Sequence, residues 1–302
     1  MSSRMETERA SPRFTDIDLW EPADILDCMI EAQFAAVAAV RAARPEIEKA
    51  ARAMEARLAH RGRLIYAGAG TSGRLAVQDG AELAPTFGWP EERLLLLIAG
   101  GHEALSRSIE GAEDDVTQVT QFLDREGVNS DDVAIVVAAS GTTPFAVEAM
   151  REGRRRGALT VGIANNRDTP VLTESHCPIW LDTGSEVIAG STRLKAGTAQ
   201  KITLNALSSL LMIRLGKVHA GLMVDVRATN DKLLKRSEGI LNRLTGCTVS
   251  DARQALQLAG GNLKIAALVL KGYERTEAER LLTESGQNLR NAVSKLPLRR
   301  NC

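Results

Sequence analysis

Arg63-Leu64-Ile65-Tyr66-Ala67-Gly68-Ala69-Gly70-Thr71-Ser72-Gly73-Arg74 reads as a short apolar strand, a glycine-rich turn carrying two hydroxyls, and the start of a helix. Such a turn holds a phosphate. Gly68, Gly70 and Gly73 let the backbone approach closely and take positive φ. Amides at the helix N-terminus face the anion, and the helix dipole adds to them. Thr71 and Ser72 add hydroxyl donors. The same glycines also match the G-x-G-x-x-G dinucleotide pattern. That reading wants an acid closing the second strand, to hold a ribose. The second strand, Arg93 to Ala99, ends in Gly100-Gly101-His102, with Glu103 one position further. The dinucleotide reading stays open, and the hydroxyl pair favours a smaller phosphate ester.

A second turn of the same kind lies downstream. Val133 to Ala139 is a β-branched and alanine run that fits a buried parallel strand. It leads into Ser140-Gly141-Thr142-Thr143-Pro144, where Pro144 suits the first turn of a helix running from Phe145 to Arg156. Ordinary helix caps use the same residue types. Two hydroxyl-rich turns on neighbouring strands of one sheet nevertheless point to a single site between them.

Outward from these turns, strands are expected at 63–68, 93–99, 133–139, 159–164 and 178–182, alternating with helices. That rhythm predicts an α/β fold, a doubly wound parallel five-stranded sheet with helices on both faces. Before it, residues 1–21 read as an irregular arm, and Asp24 to Arg41 and Pro45 to His60 as two helices, the first alanine-rich. After it come an apolar helix from Thr192 or Thr198 to Gly216 and a charged one from Val226 to Leu244. Val249 to Ala259, Asn262 to Leu270 and Thr276 to Ser285 form a small helical bundle. The expected organisation is an arm and helix pair over 1–60, the α/β domain over 61–240, and a three-helix domain over 241–302.

Bulk properties exclude several classes. Of 302 residues, 44 % are hydrophobic and 25 % charged, as in globular proteins generally. Basic and acidic residues balance at 38 each, which leaves no electrostatic footprint for nucleic acid. No segment has the apolar length of a membrane span, and Met1 to Phe14 lacks a signal-peptide core. A cytoplasmic location is expected. Cys28, Cys177, Cys247 and Cys302 show no C-x-x-C spacing, so free thiols are expected. His60, His102, His176 and His219 lack metal-ligand spacing, and no metal site is expected.

Two carboxylates and one loop could carry chemistry. Glu82 lies in Asp79-Gly80-Ala81-Glu82-Leu83-Ala84-Pro85, late in the helix after the first turn. Glu113 lies in Glu110-Gly111-Ala112-Glu113-Asp114-Asp115, on the helix after the second strand. A paired acid and base suits proton transfer, although single helical glutamates are mostly surface residues. Ten helical residues from Ser72 to Glu82 span about 15 Å, longer than a hexose phosphate. Either that helix crosses the site, or Glu82 serves a second subunit of a homodimer with shared sites. Gly184 to Lys201 is small, hydroxylated and basic; it could close over an anion, or be a Gly/Ser loop with a helix cap.

Gly68 to Arg74, Ala81 to Gly88, Glu110 to Asp114 and Gly190-Ser191-Thr192-Arg193-Leu194-Lys195-Ala196-Gly197-Thr198-Ala199-Gln200-Lys201 together resemble the N-acetylmuramic acid 6-phosphate etherases, of the sugar isomerase (SIS) superfamily. The likeness extends over nearly the whole chain. It implies an SIS-type phosphosugar-binding domain over 61–240 and cleavage of the D-lactyl ether of N-acetylmuramic acid 6-phosphate, with no cofactor. It implies that Glu82 protonates the departing lactate oxygen and that Glu113 is the base at C2. Gly70, Thr71, Ser72, Arg74, Ser140, Thr142, Thr143, Glu186, Arg193 and Lys195 become the expected substrate- and phosphate-binding residues. Where the family turn often reads Ser-Gly-Arg-Thr-Pro, this chain has Thr142, so Arg74 or Lys195 is expected to balance substrate charge. Two rivals share the fold: a non-catalytic phosphosugar-binding regulator and an aldose–ketose isomerase. The isomerase would use the same turns and release no lactate.

Overall fold

A computed structural model describes residues 5–226 and 231–294. Cys302, and residues 227–230 of the helix expected from Val226, lie outside the described residues. The chain forms two compact units, Met1–Ala81 with Glu92–Leu211 and Glu82–Glu91 with Met212–Cys302.

The first unit begins with a chain of three 3₁₀ turns over residues 6–19, followed by α1 (Pro22–Ala42) and α2 (Arg44–Leu58). Then come β1 (Leu64–Gly68) and α3 (Gly70–Ala81); α4 (Leu83–Phe87) belongs to the second unit. The first unit resumes with β2 (Leu94–Ile98), α5 (Val116–Arg125), β3 (Val133–Val137), α6 (Pro144–Arg155), β4 (Leu159–Ala164), α7 (Pro170–Thr173), β5 (Cys177–Trp180) and α8 (Lys195–Arg214), whose residues from Met212 on belong to the second unit. The five strands form one parallel sheet in the order β2-β1-β3-β4-β5. Every expected strand is present.

Strand alternation sends successive side chains to opposite faces. On one face Ile65, Ala67, Ala134 and Val136 pack with Val119 and Leu123 of α5 and Phe145, Ala149 and Met150 of α6. On the other, Tyr66 and Leu96 meet α3 so closely that a Cβ on Gly80 would lie 3.0 Å from the Tyr66 ring and 2.8 Å from the Leu96 side chain. Buried Asp79 accepts hydrogen bonds from Tyr66 (2.7 Å), Asn205 (2.6 Å) and Ser208 (3.2 Å), which ties β1, α3 and α8 together. Burial and the neighbouring Asp79 carboxylate push the Tyr66 phenol well above its ordinary pKa. Helices on both faces make the sheet doubly wound, as expected.

In the second unit, α4 is followed after α8 by a two-stranded hairpin, β6 (Val218–His219) and β7 (Leu222–Met223). Five helices complete it: α9 (Asp231–Thr245), α10 (Val249–Leu258), α11 (Leu263–Val269), α12 (Arg275–Glu284) and α13 (Leu289–Ser294). A capping box between Thr248 and Asp251 starts α10, and the Asn262 side chain caps α11. The three short helices read from the sequence are joined by α13, and α9 shares their core through Ile240 and Leu241. Lys264, 1 % exposed, donates to Asp225 (2.7 Å) and to the Gln287 carbonyl (2.6 Å). Gly88, with φ +61°, lies so close to this cluster that a Cβ would sit 2.2 Å from the Asp225 carbonyl oxygen.

Candidate functional site

Strand order reverses between β1 and β3, which pair with Gly68 opposite Val137. Ligands of doubly wound sheets bind outside the carboxyl ends of the strands at such a reversal. Both hydroxyl turns open there.

At the first turn, strand end and helix start press together. A Cβ on Gly73 would lie 2.6 Å from the Gly68 carbonyl oxygen, and one on Gly68 would lie 2.8 Å from the Val137 carbonyl oxygen. Gly70 begins α3 with φ +52°. The first amides of a helix have no intrahelical partner. Ala69 accepts from the Gly73 amide, which leaves those of Gly70, Thr71 and Ser72 pointing out of the helix end. Thr71 is half-buried and Ser72 buried, and among the described residues neither hydroxyl has a hydrogen-bond partner. Arg74 is committed elsewhere: its Nε donates to the Ala104 carbonyl (2.7 Å) and an Nη to that of Arg107 (3.0 Å), holding the segment after β2.

At the second turn the hydroxyls are already engaged. Ser140 Oγ lies 3.1 Å from Thr143 Oγ1 and accepts from the Thr142 amide at 3.2 Å. The Thr142 hydroxyl donates to the Met5 sulfur at 3.8 Å. Asn166 donates to the carbonyls of Ala139 (3.2 Å) and Ser140 (3.3 Å) and to the hydroxyl of Thr7 (2.9 Å), and accepts from the Thr7 amide (3.2 Å). Thr7 is fully buried. The N-terminal arm is therefore a strap across this turn, and Gly190 donates to its Thr7 carbonyl from the third segment.

In that third segment, Glu186 is 1 % exposed and caps α8, accepting from the amides of Lys195 (3.2 Å) and Ala196 (2.9 Å). Burial raises the Glu186 pKa against the opposing pull of those amides and of Lys195. Burial likewise lowers the Lys195 pKa; Glu186 opposes this and Arg13 adds to it. Lys195 lines a cavity of about 180 Å³ with Arg13, Phe14, Cys28 and Glu31, under the arm and α1. Arg193 is exposed. The start of α8 reaches the first turn at Gly197, where a Cβ would lie 3.6 Å from the Thr71 methyl.

Glu113 is exposed on a 3₁₀ turn, Ala112–Asp114, rather than on the expected helix, because Asp115 caps α5 one step later through the amides of Thr117 and Gln118. That turn packs against α6, whose N-terminus is the second turn. Glu82 is likewise not within the helix after the first turn. That helix ends at Ala81, and Glu82 stands exposed at the N-cap position of α4 in the second unit, without a side-chain capping bond.

Sequence reasoning missed Thr7, Asn166 and the linked set in which Gln200 donates to Asn165 (3.0 Å) and Asn165 to Thr183 (3.2 Å). Asn165-Asn166 directly follows β4, at a strand end where ligands gather, and that placement was an available signal. Among the described residues no group of three His, Cys, Asp or Glu side chains could hold a metal ion, and no helix is long and apolar enough to cross a membrane. The first unit thus offers outward amides and hydroxyls at the start of α3, a second hydroxyl turn on the neighbouring strand, and the exposed carboxylate of Glu113; Glu82 is exposed in the second unit.

Residues 46–153 match the glucokinase regulatory protein N-terminal SIS domain, and residues 114–210 match the SIS domain. The chain is 48 % identical over 294 residues to an N-acetylmuramic acid 6-phosphate etherase of Deinococcus radiodurans, covering 97 % of this chain and 96 % of that one. It is 46 % identical over 291 residues to one of Streptomyces coelicolor, covering 96 % and 94 %. Among solved structures it is similar to a phosphoheptose isomerase from Francisella tularensis, with a TM-score of 0.48 and 18 % identity over 64 % of this chain and 100 % of that one.

Proposed function

This chain belongs to the N-acetylmuramic acid 6-phosphate etherase family, and from that premise we propose that it converts N-acetylmuramic acid 6-phosphate into N-acetylglucosamine 6-phosphate and D-lactate, as a carbon–oxygen lyase of the cytoplasm. It is an enzyme acting on a sugar phosphate. The observation that carries the reading is the first turn, where three amides and the hydroxyls of Thr71 and Ser72, without partners among the described residues, converge to hold a phosphate.

The reaction needs a base and an acid. In the open-chain sugar the C1 aldehyde acidifies the C2 proton. Glu113 takes that proton, the C3–O bond breaks, and its electron pair leaves with the lactate oxygen, which Glu82 protonates. Water then adds at C3 of the unsaturated aldehyde and a proton returns to C2. Both carboxylates are exposed in the single chain, so each can meet a substrate or a second copy. We read the enzyme as a homodimer with shared sites.

Incubation with N-acetylmuramic acid 6-phosphate in D₂O, followed by proton NMR, tests this. Free lactate with deuterium at C2 of the product sugar is expected, and Glu82→Ala and Glu113→Ala each lower kcat by about 100-fold or more. Substrate binding without lactate release or C2 exchange would overturn the etherase reading. Full activity in either variant would remove that carboxylate from the mechanism.

A further inference from the structure

Lys195 carries a buried ammonium with nothing to bind. The residue is 7 % exposed, and among the described residues its Nζ makes no hydrogen bond or ion pair. Glu186, the acid closest to it in the chain's bonding, already uses both carboxylate oxygens on the backbone amides of Lys195 and Ala196. A charge held out of water without a partner is costly, and an anion that meets it removes the cost. The side chain lines the cavity of about 180 Å³ beneath the arm and α1, and Arg13 lines the same cavity. Two cations therefore share one small space. Burial lowers the Lys195 pKa, and the Arg13 charge lowers it further. An anion between the two turns this repulsion into two attractions. Arg13 already reaches Glu31 at 3.3 Å, but both side chains are largely exposed, and a guanidinium has five donors to share.

The lining indicates which anion fits. Arg13 and Lys195 set against Glu31 leave a single net positive charge, which suits a monoanion better than a phosphate dianion. Phe14, Ala32 and Ala35 complete the lining and offer an apolar wall to a short alkyl group. Sites for drug-sized ligands measure roughly 300–1,000 Å³, so this smaller space suits a group of a few heavy atoms rather than a whole phosphosugar. Nor does the cavity belong to the first turn. Successive helical residues rotate by about 100°, so Lys195 points to nearly the opposite side of α8 from Gly197, the residue that lies against Thr71.

We propose that the cavity beneath α1 holds a small monocarboxylate between the Lys195 ammonium and the Arg13 guanidinium, apart from the first hydroxyl turn. The occupant's identity as D-lactate, free or still joined to the sugar, rests on the etherase reading above; the site itself does not. The arm carries both Arg13 and Thr7, and Thr7 is bonded to Asn166 at the second turn. A carboxylate that bridges Arg13 to the start of α8 therefore also fastens the arm over that turn.

Titration of the full chain, followed by NMR of the ligand, tests the proposal. The probes are D-lactate, propionate, and N-acetylglucosamine 6-phosphate as a phosphosugar without a carboxylate. D-lactate and propionate are expected to bind with Kd of about 10 mM or below and to displace each other. Lys195→Met should weaken both by about tenfold or more, the worth of a hydrogen bond to a charged group, and Arg13→Gln, at an exposed position, by about threefold. Ala35→Leu fills the cavity with both charges intact and should abolish binding; circular dichroism verifies folding, and the Arg13 and Ala35 variants decide the matter if Lys195→Met does not fold. Displacement of D-lactate by N-acetylmuramic acid 6-phosphate in a Glu113→Ala protein, with none by N-acetylglucosamine 6-phosphate, would identify the carboxylate as the substrate's own lactyl group. Displacement by neither would identify it as a free one, and both results support the site. Absence of saturable binding below about 100 mM overturns the proposal. So does unchanged affinity in the charge variants, or displacement of D-lactate by N-acetylglucosamine 6-phosphate. A protein that binds D-lactate here but releases none from N-acetylmuramic acid 6-phosphate would count against the etherase reading alone.

Discussion

The two hydroxyl turns occupy neighbouring strand ends of one sheet, yet their donors are disposed in opposite ways. After β1, Thr71 and Ser72 have no hydrogen-bond partners among the described residues, and the amides beside them face outward from α3. After β3, Ser140, Thr142 and Thr143 satisfy one another and the Met5 sulfur, while Asn166 ties the same turn to Thr7. An anion arriving at the first turn gains hydrogen bonds at no cost to existing ones. At the second it must displace bonds already made, so its net gain is smaller. This difference supports the proposal that the first turn holds the phosphate, with the second as the wall that the arm ties in place.

The close packing of the first turn gives the largest expected effect. In Gly73→Ala the new Cβ meets the Gly68 carbonyl at 2.6 Å and the Ile98 side chain at 2.9 Å, and the carbonyl is backbone that cannot swing aside. Destabilisation of about 3 kcal/mol is expected by urea unfolding, together with loss of phosphosugar binding. A fully stable, active Gly73→Ala protein would mean that strand and helix start are less tightly joined than the structure has them.

Removing hydroxyls sharpens the comparison. Thr71→Val and Ser72→Ala should each raise KM by about tenfold, the value of a hydrogen bond to a charged group, with folding stability little changed. Ser140→Ala should do the reverse, lowering stability by about 1 kcal/mol through its lost internal bonds and moving KM less than about threefold. If Ser140→Ala raised KM more than either first-turn variant, the roles of the two turns would be exchanged.

The sheet was legible in the sequence because each strand is a short apolar run closed by a turn, and local periodicity carries that information. What escaped depends on partners far along the chain. Thr7 and Asn166 are 159 positions apart, and nothing near either announces the other. The hairpin at 218–223 turns on Ala220 and Gly221, both with positive φ; an alanine in the first central place hides the usual Asn-Gly signal. Glu113 falls on a 3₁₀ turn rather than on the expected helix, because the cap is Asp115, and a run of acids does not single out which of them caps. Of the candidate site, the glycine turns and their adjacency could be read from residue type alone. The commitment of Arg74 to two carbonyls and the burial of Lys195 required the fold.

The smallest expected effect lies where the third segment meets the first turn. Glu186 caps α8, whose Gly197 lies against Thr71, while Ser140, Thr142, Thr143, Met5 and Asn166 at the second turn carry no titratable group. Burial raises the Glu186 carboxyl above its ordinary 4.5, so between the two values the folded chain binds more protons than the unfolded one. Its contribution to stability is thus full below 4.5 and is lost as pH rises through the raised value. Glu152 acts oppositely: held to about 2 by Arg155 and Arg156, it stabilises above 4.5 and loses that contribution as pH falls. Comparing the unaltered protein with Glu186→Gln cancels the Glu152 slope and isolates the cap. Urea midpoints from about pH 4 to pH 8 should show the unaltered protein gaining on the variant toward acid. Equal slopes would mean that the two amides satisfy the buried carboxylate as fully as water does, and the start of α8 would then be neutral ground between the two turns.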